Sequence, residues 1–369
     1  MSKRERESYT QSSFLTKTPV EVTPRKTFSS LSGTRLAEFM NLENPAGWIA
    51  KQGLTFQLAG KEKSPSQSQG ISVHEGGYFY LLMAQHPLPQ GKDAFLHAQE
   101  VAKLHLSERF PTTNKTDFQR REMILTIQLP EIWPKVGEDL DKNALKKLFD
   151  ITHQNTLYPH PPNQPYLTKV GHDIELDGTH CLRNLTRFSQ EELLPTIAKS
   201  EHAVCEFTII QFFRRHWNIK VTSMADLLIV SKSIREDGVP IWTYDLFDIK
   251  SGKRVFETGQ RKIYFDYLYQ LWIMKRALER TSPDQIQEAI GKREALRLET
   301  GNSPIETVRV NCYLIWPGEY LHPKETCELV ELPDDKKAKK KLYQCLTLYR
   351  RFKDGKLRKG LSSNRELLL

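Results

Sequence analysis

Between Pro159 and Pro165 the chain carries four prolines in seven residues, within Asn155-Thr-Leu-Tyr-Pro-His-Pro-Pro-Asn-Gln-Pro165. Proline donates no main-chain hydrogen bond and fixes φ at about −65°, so this stretch can be neither helix nor central strand. The chain has 369 residues, longer than one hydrophobic core usually spans. The stretch therefore reads as a linker over 155–166, with one folded region on each side.

Other broad classes drop out quickly. No run of eighteen apolar residues occurs, which excludes a transmembrane helix. Met1–Ser8 is charged and leads into Ser/Thr-rich sequence without the apolar core of a secretory signal. Five scattered cysteines make no disulfide framework, and an odd number points to reduced thiols. The expectation is a soluble, cytoplasmic protein with no membrane partner. Residues 1–30 mix Ser, Thr, Pro and charges without periodicity and read as a disordered arm.

Periodicity sets the remaining expectations. Residues 31–154 read as a smaller accessory α+β domain. It has a flexible loop at Gly60–Gly70, a strand at Gly77–Ala84, a helix at Asp93–Ser107 capped by Asp93, a strand at Met123–Leu129 and a helix at Asp141–Thr152. Residues 167–333 read as the main core. Helices are expected at Ser189–Lys199 and Glu201–His216, then strands at Asp226–Val230 and Ile241–Lys250 joined by the turn Arg235-Glu-Asp-Gly238. A helix at Tyr264–Glu279, a polar helix at Pro283–Leu298 and strands at Thr307–Trp316 and Cys327–Leu332 complete it. This order predicts an α/β fold, or α+β, with a mixed central sheet flanked by helices.

One set of residues carries chemistry. Asp248 and Lys250 are i and i+2 on a strand and share a face. Asp226 opens the partner strand. On the expected helix before the hairpin, His202 and Glu206 stand at i and i+4. Hard oxygen ligands of this kind suit Mg²⁺ or Mn²⁺ rather than zinc, and a lysine beside them can orient a nucleophile and stabilise developing charge. The residues alone leave blander readings open: a surface i,i+4 pair at His202 and Glu206, and a solvent-facing strand end at Asp248 and Lys250. A zinc site from His180, Cys181, His202 and Cys205 matches no standard finger spacing. The aromatics Tyr264, Phe265, Tyr267, Tyr269 and Trp272 fall at helical spacing, as core residues do.

Asp226, about twenty residues, then Asp248-Ile249-Lys250 resembles the PD-(D/E)XK nuclease motif. With His202-Ala-Val-Cys-Glu206 ahead of it and Gln270 on the following helix, residues of about 190–333 are similar to the RecB-like branch. The resemblance implies a restriction-endonuclease-like core. It further implies that Glu206, Asp226 and Asp248 hold the metal with the main-chain carbonyl of Ile249, that Lys250 serves the attacking water, that His202 assists, and that Gln270 contacts the DNA backbone. The chain departs from the pattern at Ala225, where the family often has proline, and at Met274, where a tyrosine is usual. Some relatives carry an iron–sulfur cluster. Here Cys312, Cys327 and Cys345 are too widely spaced to follow that pattern, so no cluster is expected.

Charge supplies the last clue. From Lys336 to Lys359 there are eleven Lys/Arg and one Asp, so the rest of a chain of net charge +9 sums to about −1. This segment, 334–369, has Lys336, Lys337, Lys339, Lys340, Lys341, Arg350 and Arg351 to offer a polyanion such as DNA, although such a charge run equally serves solubility. With helical spacing Leu342, Cys345, Leu346 and Tyr349 form one apolar stripe. Two functional expectations follow. The first is a divalent-metal-dependent DNA nuclease of defence, repair or mobile-element processing, acting alone or with partner proteins. The second is a non-catalytic nucleic-acid-binding or scaffold subunit of a larger nucleoprotein complex.

Overall fold

The computed structural model describes residues 29–42, 65–106, 115–136, 140–155, 167–214, 217–250, 261–300, 303–318 and 326–354. In chain order its elements are β1 (Ser29–Ser32), α1 (Gly33–Asn41), α2 (Pro65–Gln85), α3 (Ala94–His105), α4 (Lys115–Met123), α5 (Lys142–Gln154), α6 (Leu167–Phe188) and α7 (Leu194–Ile197). Then follow β2 (His202–Phe213), β3 (Ile219–Ile234), β4 (Pro240–Ile249), α8 (Arg261–Leu278), α9 (Pro283–Lys292), β5 (Leu296–Glu299), β6 (Val308–Ile315), β7 (Cys327–Leu329) and α10 (Asp335–Lys353). Local chemistry fixes many of the ends. Asp93, Asp141 and Asp334 each accept a hydrogen bond from the main-chain N–H three residues on, and Ser282 with Gln285 makes a reciprocal capping box.

The fold is α/β, with a seven-stranded mixed sheet between helices. Strand order is β5-β2-β3-β4-β6-β7. The β2–β3–β4 meander is antiparallel, whereas β5 joins β2 and β6 joins β4 in parallel. The turn at Arg235–Gly238 closes the β3–β4 hairpin, with Gly238 at φ 81°. On one edge β3 changes partner. β4 pairs with it from Leu227 to Ile234, and β1 takes the same edge in parallel from Ile219 to Thr222.

Each face of the sheet is covered. Helices α2, α3, α5 and α6 pack against Leu227, Ile229, Phe247, Ile249 and Ile315 in one continuous core. On the opposite face α8 and α9 bury Leu228, Val230, Tyr244, Leu246 and Leu314. A third cluster joins β1, α1, the far ends of β2 and β3, Trp272 of α8 and the apolar stripe of α10.

These findings correct four expectations. Residues 65–154 are helical throughout their described elements. They are not a separate α+β domain, because they form one face of the same core. Gly77–Ala84 lies inside α2 rather than in a strand. Gly76 and Gly77 serve close helix packing there, since a Cβ would stand 3.0 and 2.4 Å from Leu182 and Leu185 of α6. Met123–Leu129 ends α4 in a wide π-turn at Ile124–Gln128. Glu201–His216 is strand β2, not a helix: ladder pairing with β3 and a run of Thr208-Ile-Ile outweigh the apolar spacing that suggested 3.6-residue periodicity. Residues 156–166, where the linker was read, and most of the expected N-terminal arm lie outside the described residues, although Ser29 and Ser30 belong to β1. Among the described residues no helix is long and apolar enough to cross a membrane.

Candidate active site

The site sits where β3 passes from β4 to β1. Extending the β3–β4 register by one pair beyond Leu227↔Phe247 sets Asp226 opposite Asp248. The main-chain N–H of Ile249 donates to Asp226 Oδ2 at 2.6 Å, so the carboxylate occupies the place a ladder carbonyl would take. Lys250 Nζ donates to Asp248 Oδ1 at 2.8 Å. It stands 2.7 Å from Oδ2 without a hydrogen-bonding alignment, which leaves that buried oxygen with no hydrogen bond. From α2, His74 Nδ1 lies 3.5 Å from Asp226 Oδ1. From α8, the Tyr267 ring lies under Lys250 Nζ, 4.4 Å from its centroid. Helices of both layers thus converge on two facing aspartates.

Burial and mutual repulsion split the two carboxylates. Desolvation raises the Asp248 pKa, with the Asp226 charge adding to the rise, and Lys250 offsets only part of it. Asp226 is also penalised by burial, but His74, Lys250 and the Ile249 N–H outweigh the penalty and hold it below the usual range. For Lys250, desolvation acts to lower the pKa and the two aspartates reverse it.

The resemblance placed Glu206 and His202 in this site; the geometry sets Glu206 beside Asp226 but with its carboxylate held by Arg121, and sets His202 away from it. The ladder pairs Cys205 with Leu227 and Phe207 with Ala225, so Glu206 faces Asp226 across the sheet. Its φ is 54°, in the left-handed region, where a residue with a side chain is strained. This residue reverses the strand's facing. Ala203 and Cys205 point to the α2 layer, whereas Phe207 and Ile209 point to the α8 layer. The Glu206 carboxylate is clamped by both terminal nitrogens of Arg121, at 2.5 and 2.8 Å. His202 pairs with Val230, four residues along the strand and about 13 Å away.

Arg121 belongs to a wider network. Arg120 bonds Glu75 and Asp117, Arg121 Nε lies 3.4 Å from Glu75, and the Arg121 guanidinium covers the Tyr78 ring. Glu75 is 3% exposed. Two arginines and three carboxylates thereby tie α2, α4 and β2 together immediately behind His74. Both arginine pKa values are raised, because their carboxylate partners outweigh desolvation. Sequence reasoning missed His74 and this network. The only local trace is the polar pair His74-Glu75 inside the apolar run that continues through Met83.

Gln270 is buried one turn beyond Tyr267, closed to solvent rather than on a binding rim. Lys336, Lys337, Lys339 and Lys340 are exposed on α10. Lys341 covers the Tyr269 ring, and Arg350 pairs with Asp354. Arg351 is half-buried, and Lys356, Arg358 and Lys359 lie outside the described residues. The apolar stripe of α10 is buried as expected. Cys181, Cys312 and Cys345 fall in three different cores.

For a divalent cation the fit rests on Asp226 and Asp248, hard donors that face each other, with the Lys250 ammonium 2.7 and 2.8 Å from the two Asp248 oxygens. No group of three or more His, Cys, Asp and Glu at metal-holding spacing occurs among the described residues. The side chain of Ile249 is in the core, which leaves only its main chain for such a role. No protein-family model matches the chain, and no curated protein is similar enough to stand as its relative.

Proposed function

We propose that the protein hydrolyses phosphodiester bonds of DNA with Mg²⁺ or Mn²⁺ held by Asp226 and Asp248. The observation that carries this reading is the facing aspartate pair with Lys250 Nζ 2.8 Å from Asp248 Oδ1. Bound there, the cation would neutralise phosphate charge and lower the pKa of its water. The chain's own residues do the rest. Asp226 is fixed by His74 on one oxygen and by the Ile249 N–H on the other. Lys250, steadied over Tyr267, has donors to spare for the attacking water and the phosphate oxygens. The lysines of α10 offer contacts that hold a DNA backbone without reading bases. Such a protein would be DNA-associated and could work with partner proteins.

One observation favours the second reading, a non-catalytic DNA-binding subunit: Glu206 is consumed by Arg121, leaving two carboxylates rather than three. Incubating the pure protein with linear, circular and single-stranded DNA, with Mn²⁺ or with EDTA, separates the two. Metal-dependent cleavage that Lys250→Ala removes supports the nuclease. Tight DNA binding without cleavage under every condition supports the scaffold.

A further inference from the structure

At the far end of α8 a cavity of about 320 Å³ opens between β2, the end of β5 and α10, lined by Gln211, Arg276, Arg280, Thr300, Lys339 and Tyr343. Arg276 is nine residues, about 14 Å, along the helix from Tyr267, so this space is separate from the aspartate pair. Three of its lining residues are cations. Arg276 Nη1 is fully buried and makes no hydrogen bond, and the nearest carboxylate oxygen, on the largely exposed Asp335, is 3.9 Å away. Arg276 otherwise rests on the Trp272 ring. One turn on, Arg280 donates through Nη1 to the Arg276 carbonyl at 2.5 Å, and Glu279 is 3.7 Å from it. The carboxylate in the lining, that of Glu299, is drawn outward by Arg214 at 2.6 Å.

The geometry points to a phosphate-binding pocket formed by Arg276, Arg280 and Lys339. Two guanidinium forks and an ammonium around one cavity match a tetrahedral oxyanion carrying more than one charge better than they match a single carboxylate. The helix C-terminus explains why cations gather there but its negative pole opposes an anion, so the affinity rests on the three side chains. Burial and the Arg276 charge lower the pKa of Arg280. That mutual repulsion would be relieved by an anion between the two groups. The phosphate could be a phosphodiester of a bound strand or a free phosphate.

Calorimetric titration of inorganic phosphate into the full chain, in metal-free buffer with ionic strength held constant by chloride, tests the pocket. One phosphate should bind per chain. Arg280→Gln should weaken it at least tenfold, the scale of a lost bond to a charged group. Lys339→Gln, at an exposed position that the fold does not need, should weaken it severalfold, and Asp248→Ala should leave it unchanged. A short DNA strand without terminal phosphates that competes with phosphate identifies the strand backbone as the source, and failure to compete identifies a free phosphate; either outcome upholds the pocket. No heat beyond that of chloride, wild-type affinity in both pocket variants, or loss of phosphate in Asp248→Ala would overturn it. Phosphate binding is read without cleavage, so the pocket and the nuclease reading can fail independently.

Discussion

Two buried charged clusters lie back to back in this molecule, and they are built on opposite terms. Behind β2, Glu75, Asp117 and Glu206 meet Arg120 and Arg121 in paired hydrogen bonds at short range, and both arginines are held more firmly protonated. At the β3–β4 divergence, Asp226 and Asp248 face each other with one lysine and one histidine, a buried carboxylate oxygen has no hydrogen bond, and the two carboxyl pKa values are driven apart. Each cluster has one buried atom without a hydrogen bond, Arg121 Nε in the first and Asp248 Oδ2 in the second, so the difference lies in the charges. Interleaved opposite charges hold elements together, whereas two like charges forced close are what a cation can complete. Facing residues of one ladder, Glu206 and Asp226, belong to opposite clusters because the left-handed kink at Glu206 turns it toward Arg121.

The contrast can be broken by substitution. Asp248→Ala should lower the Mn²⁺-dependent cleavage rate by on the order of a thousandfold while leaving circular dichroism and DNA affinity near wild type, since the group acts on the transition state. Supercoiled plasmid nicked at an unchanged rate would remove the pair from the chemistry. Arg121→Ala should instead act on the fold. It leaves Glu206 without its clamp and Glu75 with one arginine fewer, a loss of about 3 kcal/mol readable in urea melts. A variant as stable as wild type would mean that the network holds nothing.

A smaller effect sharpens the comparison through pH. Because the folded protein holds the Asp248 proton more tightly than the unfolded chain, that group's stabilising contribution is present below the ordinary carboxylate pKa. It is lost as pH rises through the raised value. Asp248→Asn cannot lose it. In metal-free buffer the melting temperature of the variant should therefore gain on wild type from roughly pH 4 to pH 7; parallel curves would contradict the shift. The smallest expected change is in DNA affinity. Deleting α10 is no test, since Ala338, Leu342, Cys345 and Leu346 are core residues. Replacing exposed Lys336, Lys337 and Lys340 by Gln should flatten the slope of log affinity against log salt by roughly two to three units, at about 0.9 for each phosphate no longer neutralised. Coincident slopes would leave the charge run as a solubilising face.

The hairpin and its Asp226, Asp248 and Lys250 were legible because a strand period of two and a four-residue turn are local signals. So were α5, α8 and α10, whose apolar stripes lie within single helices. What failed was whatever tertiary packing decides. In α2, Gly76-Gly77-Tyr-Phe-Tyr80 has the composition of a strand, yet the glycines exist to let α6 approach. In β2, the apolar side chains change face at Glu206, so a strand acquires spacing that imitates a helix. His74 shows locally only as half of a polar pair in an apolar run: its partner lies 152 residues later, and only the fold brings them together.

Near the two ends of the described chain, the Tyr349 hydroxyl donates to the Ser30 carbonyl at 2.9 Å, and β1, α1 and α10 share one apolar cluster. Loop closure over such a span delays folding, because the entropy of joining distant segments is lost before any contact rewards it. On the ribosome, the third cluster cannot close until α10 has emerged. Strand β1, which pairs with β3 at Ile219–Thr222, is thus settled in that cluster only once α10 has joined it.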